Sequence, residues 1–433
     1  MDADAMPDAS RALADWLVYL ETLHPKPIAL GLDRVADVAS RLDIALSCPV
    51  FTITGTNGKG SICAYLDAML RAAGYRVGLY TSPHLLRYNE RVRIDGVEAS
   101  DAALTEAFVA VERARGEVPL TYFEFGTLAA LWMYARAGLD ALVLEVGLGG
   151  RLDAVNVIDA DIAIISGIGI DHVDYLGGTR ETIGFEKAGI LRAHRPAVCA
   201  DPDPPATLLA HAAEINARLL RIGIDFGYVT DAGQWQFWMR RNDGELLRRH
   251  GLPLPALRGA IQVRNASAAI AALELASPRL SVPMQSIREG LVNVEWPARF
   301  QVLPGRPAII LDVAHNPQAA SVLAANLADM GYFSRTTAVF SILGDKDIEG
   351  VAATLKRSID RWLIAPSAGA RGADAHRIRE GLVAAGVAPA DVINCVDVAA
   401  ALHRAEADAS EADRIVVFGS FVTVAAALRA LRR

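Results

Sequence analysis

Apolar residues recur along this chain with two alternating periods. Leu13, Trp16, Leu17, Leu20 and Leu23 are three or four residues apart and mark one face of an amphipathic helix. His24-Pro25 should end it, because the proline ring disfavours helical backbone in the residue before it. Val35, Val38, Ala39 and Leu42 predict a second helix, and Ile62, Tyr65, Leu66, Met69 and Leu70 a third, closed by Gly74. Further helices are expected near 101–114, over 127–137 and from about 317. Between them lie short, continuous apolar runs: Phe51–Thr54, Val77–Tyr80, Ala141–Val146, Ile162–Ile168, Ile309–Val313, Ala338–Leu343 and Ile415–Ser420. Runs of this length bounded by glycine and polar residues read as strands buried on both faces. Strands alternating with helices predict an α/β fold with parallel sheets and crossover helices.

One stretch breaks the alternation. Trp235–Arg241, Asn242-Asp243-Gly244 and Glu245–Arg249 read as a β-hairpin. Its arginines Arg240, Arg241, Arg248 and Arg249 are expected on a solvated face rather than in a binding patch. Prolines and a change of composition between Ser277 and Pro297 mark a division. The expected organisation is a first domain over 1–291 with a central, mostly parallel sheet and the small hairpin, a linker over 292–299, and a smaller Rossmann-like α/β domain over 300–433.

The first core strand runs into Gly55-Thr56-Asn57-Gly58-Lys59-Gly60-Ser61 and then a helix. Such a loop turns successive backbone N–H groups toward one anion, and the helix N-terminus adds favourable partial charge. Lys59 would reach terminal phosphates. The strict phosphate-loop pattern is G-x-x-x-x-G-K-[ST]. Here Ile53 stands at the first glycine and Gly60 separates Lys59 from Ser61, so a plain glycine turn is the bland alternative. Ligands of parallel α/β sheets bind beyond the strands' carboxyl ends. Ser82, Glu145 and His172 fall at or beyond three such ends. A nucleoside triphosphate needs a divalent cation, and magnesium prefers hard oxygen ligands. Glu145 and Ser82 suit it, while His172 alone is as readily a loop or core histidine.

With 52% hydrophobic and 21% charged residues among 433, the chain can bury a large core, and two or three domains are expected. The net charge of −7 argues against broad nucleic-acid affinity. Cys48, Cys63, Cys199 and Cys395 form no C-x-x-C pair, so neither a zinc site nor a disulfide framework is expected, and a reducing cytoplasm fits. Met1-Asp2-Ala3-Asp4 lacks the basic start of a signal peptide. No uncharged apolar run is long enough to span a bilayer, so no membrane partner is expected.

Six motifs stand in order along the chain: Thr54–Ser61, Thr81-Ser82-Pro83-His84, Glu145–Asp153, Asp171-His172, Glu186-Lys187-Ala188-Gly189-Ile190 and Asp312-Val313-Ala314-His315-Asn316-Pro317. Together they resemble the folylpolyglutamate synthase/dihydrofolate synthase family of the Mur ligase superfamily, whose members are ATP-dependent and form amides. The resemblance implies a P-loop ATPase-like first domain and a glutamate-ligase second domain. It implies that Gly55, Thr56, Asn57, Gly58, Lys59, Gly60 and Ser61 hold ATP, with Asn265, Arg299, Asp312 and His315. It assigns one or two magnesium ions to Ser82, Glu145, His172 and Lys187, the lysine as a carbamate, because an ammonium cannot ligate a cation. Catalysis would rest on Lys59, Glu145, His172 and Lys187. The pterin acid would lie by Ile28, Ala29, Leu30 and Gly31, by Thr121, Tyr122, Phe123 and Glu124, and by Leu152, Asp153 and Ala154. Some relatives carry an acidic residue where Ala29 stands and glycine where Ala298 stands.

The implied reaction couples L-glutamate to dihydropteroate or to reduced folates at the expense of ATP, in a cytoplasmic monomer. Three other readings stay open. One is a Mur-type ligase acting on a cell-wall precursor. Another is a nucleotide-binding regulatory module without ligase chemistry. The third is a relative that has lost activity, against which the intact Lys59, Glu145, His172 and Lys187 speak.

Overall fold

The computed structural model describes residues 11–231, 233–241, 243–369 and 371–432. The acidic start at residues 1–4 and Asn242 of the expected turn lie outside the described residues. The chain forms two compact units. The first takes the chain up to Ile168 and adds Leu176–Leu254 and Arg264–Val294; the second comprises Gly169–Tyr175, Pro255–Val263 and the chain from Glu295 onward. The helix Met284–Asn293 runs into the stretch expected to be linker, and the first unit ends just after it.

The first unit is built on eight strands: β1 (Val50–Thr54), β2 (Val77–Tyr80), β3 (Val92–Ile94), β4 (Val97–Glu98), β5 (Ala141–Glu145), β6 (Ile162–Ile165), β7 (Pro196–Cys199) and β8 (Arg218–Arg221). Their order across the sheet is β4-β3-β2-β5-β1-β6-β7-β8. From β2 to β8 every neighbouring pair is parallel, while β3 and β4 form an antiparallel edge. All five residues of β1 are buried, as a strand covered by helices on both faces requires. On one face Trp16, Phe108 and Phe125 meet edge to face, with centroids 5.9 and 5.6 Å apart across the Phe108 ring. These contacts fix the opening helix, Leu13–Thr22, against the helices Asp101–Arg115 and Tyr122–Arg136.

Two expectations need correcting. The helix expected to begin at 127 begins at Tyr122. Thr121 is its N-cap and accepts the Glu124 N–H at 3.2 Å, while the Glu124 carboxylate accepts the Thr121 N–H at 2.7 Å. This reciprocal cap overrides the β-preference of Tyr122, Phe123 and Phe125. The expected hairpin is a three-stranded antiparallel sheet: β9 (Phe226–Asp231) pairs with β10 (Gln234–Arg240), which pairs with β11 (Leu246–Pro253). Trp235, Phe237 and Met239 alternate inward along β10, so one face is buried, and a third paired strand widens that face beyond what an isolated hairpin offers. Arg240, Arg241 and Arg248 are exposed, and Arg249 pairs with Glu274 at 2.6 Å.

The second unit holds β12 (Gln301–Leu303), β13 (Ala308–Leu311), β14 (Thr336–Phe340), β15 (Arg361–Ile364), β16 (Val392–Asn394) and β17 (Arg414–Phe418). They lie in the order β12-β13-β17-β14-β15-β16, and only β12 is antiparallel to its neighbour. Phe340, Trp362 and Phe418 form an aromatic triangle at its centre, with centroids 4.8–6.0 Å apart. Trp362→Ala should cost about 3–5 kcal/mol, because the surrounding rings cannot collapse into the space. Urea unfolding followed by far-UV circular dichroism checks this; a loss below about 1 kcal/mol would mean that the triangle does not hold the unit together.

Candidate functional site

The glycine loop leaves β1 at Thr54, whose hydroxyl donates to the Gly149 carbonyl at 2.5 Å. Gly55 has φ +148°, and a Cβ there would sit 1.8 Å from Ser166 Oγ. Gly58, the N-cap of the helix Lys59–Ala72, has φ +97°, and its Cβ would lie 2.9 Å from Asn265 Oδ1. Both positions therefore require glycine, for conformation and for space. The loop is stapled to the segment after β6: the Thr56 N–H donates to Gly167 O at 2.8 Å, and Ser166 Oγ donates to Asn57 O at 2.8 Å. Lys59 Nζ folds back and donates to Gly55 O at 3.0 Å. Gly60 and Ser61 are buried in the first helical turn. Thr56, Asn57, Gly58 and Asn265 are thus brought together with a lysine at a helix N-terminus, which is the geometry of an anion cradle.

Glu145 ends β5 opposite Ile53 of β1 and is only 4% exposed. Its Oε2 accepts the Ser82 N–H at 3.0 Å, so two of the expected metal residues meet at neighbouring strand ends. Lys187 is buried in the last turn of the helix Arg180–Ala188. A buried ammonium is costly unless it is paired or modified. Among the described residues no three His, Cys, Asp or Glu side chains gather as a metal cluster. The expected set instead combines a carboxylate with a hydroxyl, an imidazole and a modified lysine, and the Glu145–Ser82 pair offers the hard oxygens that a cation such as magnesium takes.

In the second unit Asp312 accepts the Phe300 N–H at 2.8 Å and the Ala314 N–H at 2.7 Å. Burial pushes its carboxyl above the usual range, against the pull of Arg299 and His315. Arg299, Asp312 and His315 therefore share one neighbourhood. His172 has φ +53° and donates its N–H to Asp171 Oδ1 at 2.8 Å.

The three segments expected around the pterin come together in the first unit. Arg34 Nη2 donates both to Ala29 O at 3.0 Å and to Glu124 Oε1 at 2.7 Å, and the Gly31 N–H donates to Leu152 O at 3.3 Å. Phe123 packs over Gly147 and against Tyr80, with ring centroids 6.1 Å apart. Tyr122 stands edge-on to Tyr88, with Arg91 5.5 Å from its centroid. Thr121 and Glu124 spend hydrogen bonds on the helix cap. Asp153 accepts the Leu148 N–H at 2.8 Å and the Val155 N–H at 3.0 Å.

Residues 53–273 match the Mur ligase middle domain, and residues 298–421 match the Mur ligase glutamate ligase domain. The chain is 45% identical over 420 residues to the dihydrofolate synthase/folylpolyglutamate synthase of Escherichia coli, covering 97% of this chain and 95% of that protein. The chain belongs to the dihydrofolate synthase/folylpolyglutamate synthase family. Among solved structures, E. coli FolC in complex with DHPP and ADP superposes with a TM-score of 0.92 at 45% identity, over 99% of both chains. A bifunctional folylpolyglutamate synthase/dihydrofolate synthase with Mn, AMPPNP and L-glutamate bound gives 0.90 at 44% identity, over 99% of this chain and 100% of that one.

In this family member, sequence reasoning overlooked Arg34, Ser166 and Lys346. Arg34 and Ser166 act through contacts 90 and 109 residues away in the chain, and no local pattern announces them. Asp153 is a buried carboxylic acid in the candidate pterin site. Burial, partly countered by the N–H groups of Leu148, Val155 and Gly147, pushes its carboxyl up to about 6. Between about pH 4 and 6 the native state therefore binds more protons than the unfolded chain, so Asp153 makes stability fall as pH rises through that window. The contribution is on the order of 2–3 kcal/mol. Asp153→Asn should remove that part of the slope, which thermal melts at pH 4.5, 5.5 and 7 measure; an unchanged slope would show that the carboxyl titrates as an ordinary one.

Proposed function

We propose that this chain activates the carboxylate of dihydropteroate, and of folyl-glutamates, and couples it to the amine of L-glutamate, giving dihydrofolate and folylpolyglutamates. It is an ATP-dependent ligase that forms an amide bond and works with a divalent metal ion. The observation that carries the reading is the Gly55–Lys59 cradle at the end of β1, beside the strand-end pair of Glu145 and Ser82. The meeting of residues 29–31, Glu124 and Leu152 supports the folate branch over a cell-wall precursor.

A carboxylate is a poor electrophile. Its oxygen takes the γ-phosphoryl group of ATP, ADP departs, and an acyl phosphate results. The glutamate amine then attacks the acyl carbon, the carbon–oxygen bond to phosphate breaks, and phosphate leaves with loss of the ammonium proton. No protein nucleophile is needed. Lys59 offsets charge on the transferring phosphoryl group, and the helix N-terminus that begins at Lys59 orients the phosphates. Asn265, Arg299, Asp312 and His315 hold the nucleotide. Magnesium, one ion or two, would be held by Ser82, Glu145, His172 and Lys187 as a carbamate, and supplies positive charge to the phosphates when bound. Ile28–Gly31, Thr121–Glu124 and Leu152–Ala154 surround the pterin acid, with Asp153 as acceptor for ring N–H groups. The acyl phosphate must be kept from water until the amine arrives.

No helix among the described residues is long and apolar enough to cross a membrane. The proposed setting is a cytoplasmic monomer whose partners are ATP, L-glutamate and pterin acids.

Incorporation of labelled glutamate with ATP and magnesium, into dihydropteroate and separately into tetrahydrofolate, tests the reading. Product in both reactions is expected; ATP hydrolysis that ignores pterin and glutamate would point to a regulatory nucleotide module instead. Lys59→Ala should lower kcat/KM by about 10²–10³-fold, on the scale of one lost charge-stabilising donor. Its circular dichroism spectrum should be unchanged, and near-normal glutamate-dependent ADP release would sink the role given to Lys59.

A further inference from the structure

Asp171 has no role in the reaction as described, yet it is the centre of a buried charge cluster in the second unit. Its side chain is 8% exposed and that of Lys346 is 5% exposed. Lys346 Nζ donates to Asp171 Oδ1 at 2.6 Å, and Asn316 Nδ2 donates to Oδ2 at 3.1 Å. His315 Nε2 lies 3.3 Å from Oδ2, and the His172 N–H donates to Oδ1 at 2.8 Å.

A buried ion pair is weak evidence of stabilisation, because desolvation offsets most of the attraction and apolar side chains of similar volume would serve as well. Its geometry is the informative part. The other His315 ring nitrogen, Nδ1, faces Val313 O at 2.8 Å, so both nitrogens are engaged and the ring has one orientation. His172 sits at φ +53°, a left-handed backbone that a β-carbon disfavours by roughly 1–2 kcal/mol. The carboxylate that receives its N–H helps to hold it there. One carboxylate thus orients a residue assigned to the metal and a residue assigned to the nucleotide.

We propose that Asp171 is a positioning residue that sets His172 and His315 together, with Lys346 holding its carboxylate in place. This rests on the proposed function, and it predicts an effect confined to the metal and the nucleotide. Partners behind a metal ligand typically contribute 10–100-fold to affinity or activity. Asp171→Asn should raise the Mg²⁺ activation constant and the ATP KM by about 10-fold or more, with the dihydropteroate KM within about twofold. Asp171→Glu should recover part of the loss. Lys346→Met should resemble Asp171→Asn, and the double variant should be little worse than either, since both disrupt one device. Calorimetric titration with ADP, with and without Mg²⁺, should show the same loss without turnover. Unchanged Mg²⁺ and ADP constants in Asp171→Asn overturn the inference. So does a loss spread equally over every substrate that tracks a fall in Tm and that Asp171→Glu does not relieve. Should the wild type fail to incorporate glutamate, the proposed function fails, and the ADP titration still decides the role of Asp171.

Discussion

The first unit depends on one register: β1 lies parallel between β5 and β6, with Ile53 opposite Glu145 and Thr54 opposite Ile165. A slip of one residue would turn every side chain of β1 to the opposite face. It would also separate the glycine turn from the carboxylate at the end of β5. The register is locked from the loop side as well. Gly55 lies so close to Ser166 that a methyl group could not enter, and Ser166 hydrogen-bonds to the Asn57 carbonyl. The loop is therefore shaped by the strand beside it. Strand pairing, a property of the backbone, becomes the placement of the loop against the end of β5.

That placement has an energetic cost. Glu145, Lys187 and Asp153 are each almost fully buried, and Asp312 is partly buried. Each would be more stable in water or replaced by an apolar side chain, and burial pushes the carboxyls of Asp153 and Asp312 upward. The surrounding sheets, with β1, β5, β14 and β17 buried along their whole lengths, supply the apolar burial that offsets it. Structural ion pairs elsewhere are of another kind. Arg115 and Glu112 meet one turn apart on a helix and share Tyr19 between them. That group satisfies itself with its own side chains.

Much of this was legible in the sequence, because the informative signals were local. Buried strands of a parallel sheet are unbroken apolar runs, and the positions of Gly55, Gly58, Lys59 and Glu145 relative to strand ends follow from counting along the chain. The start of the helix at Tyr122 was not, since three aromatic residues in four favour a strand and only the Thr121–Glu124 pair signals a cap. The third strand of the small sheet was missed for a related reason: Phe226–Asp231 is buried only at Phe226 and Gly227, and its partner β10 carries the inward alternation. Asp171 and Lys346 lie 175 residues apart, and Arg34 and Glu124 lie 90 apart. Pairs at such separations are set by topology, and no window of sequence contains both members.

The departure from the strict phosphate-loop pattern shows what such a pattern stands for. Its first glycine falls at Ile53, which lies fully buried in β1 between two parallel neighbours. A glycine there would weaken a central strand and relieve no strain. The conformational demand is met two and five residues later, at Gly55 and Gly58, the two left-handed positions of the loop. Gly60 occupies the place of the usual hydroxyl residue, and Ser61 follows one position further into the helix. The physical requirements are a glycine turn that leads into a helix N-terminus, a lysine at the helix start and a nearby hydroxyl. This chain satisfies all three with different spacing, so a rule written in residue letters rejects a loop that a rule written in φ angles and donors accepts.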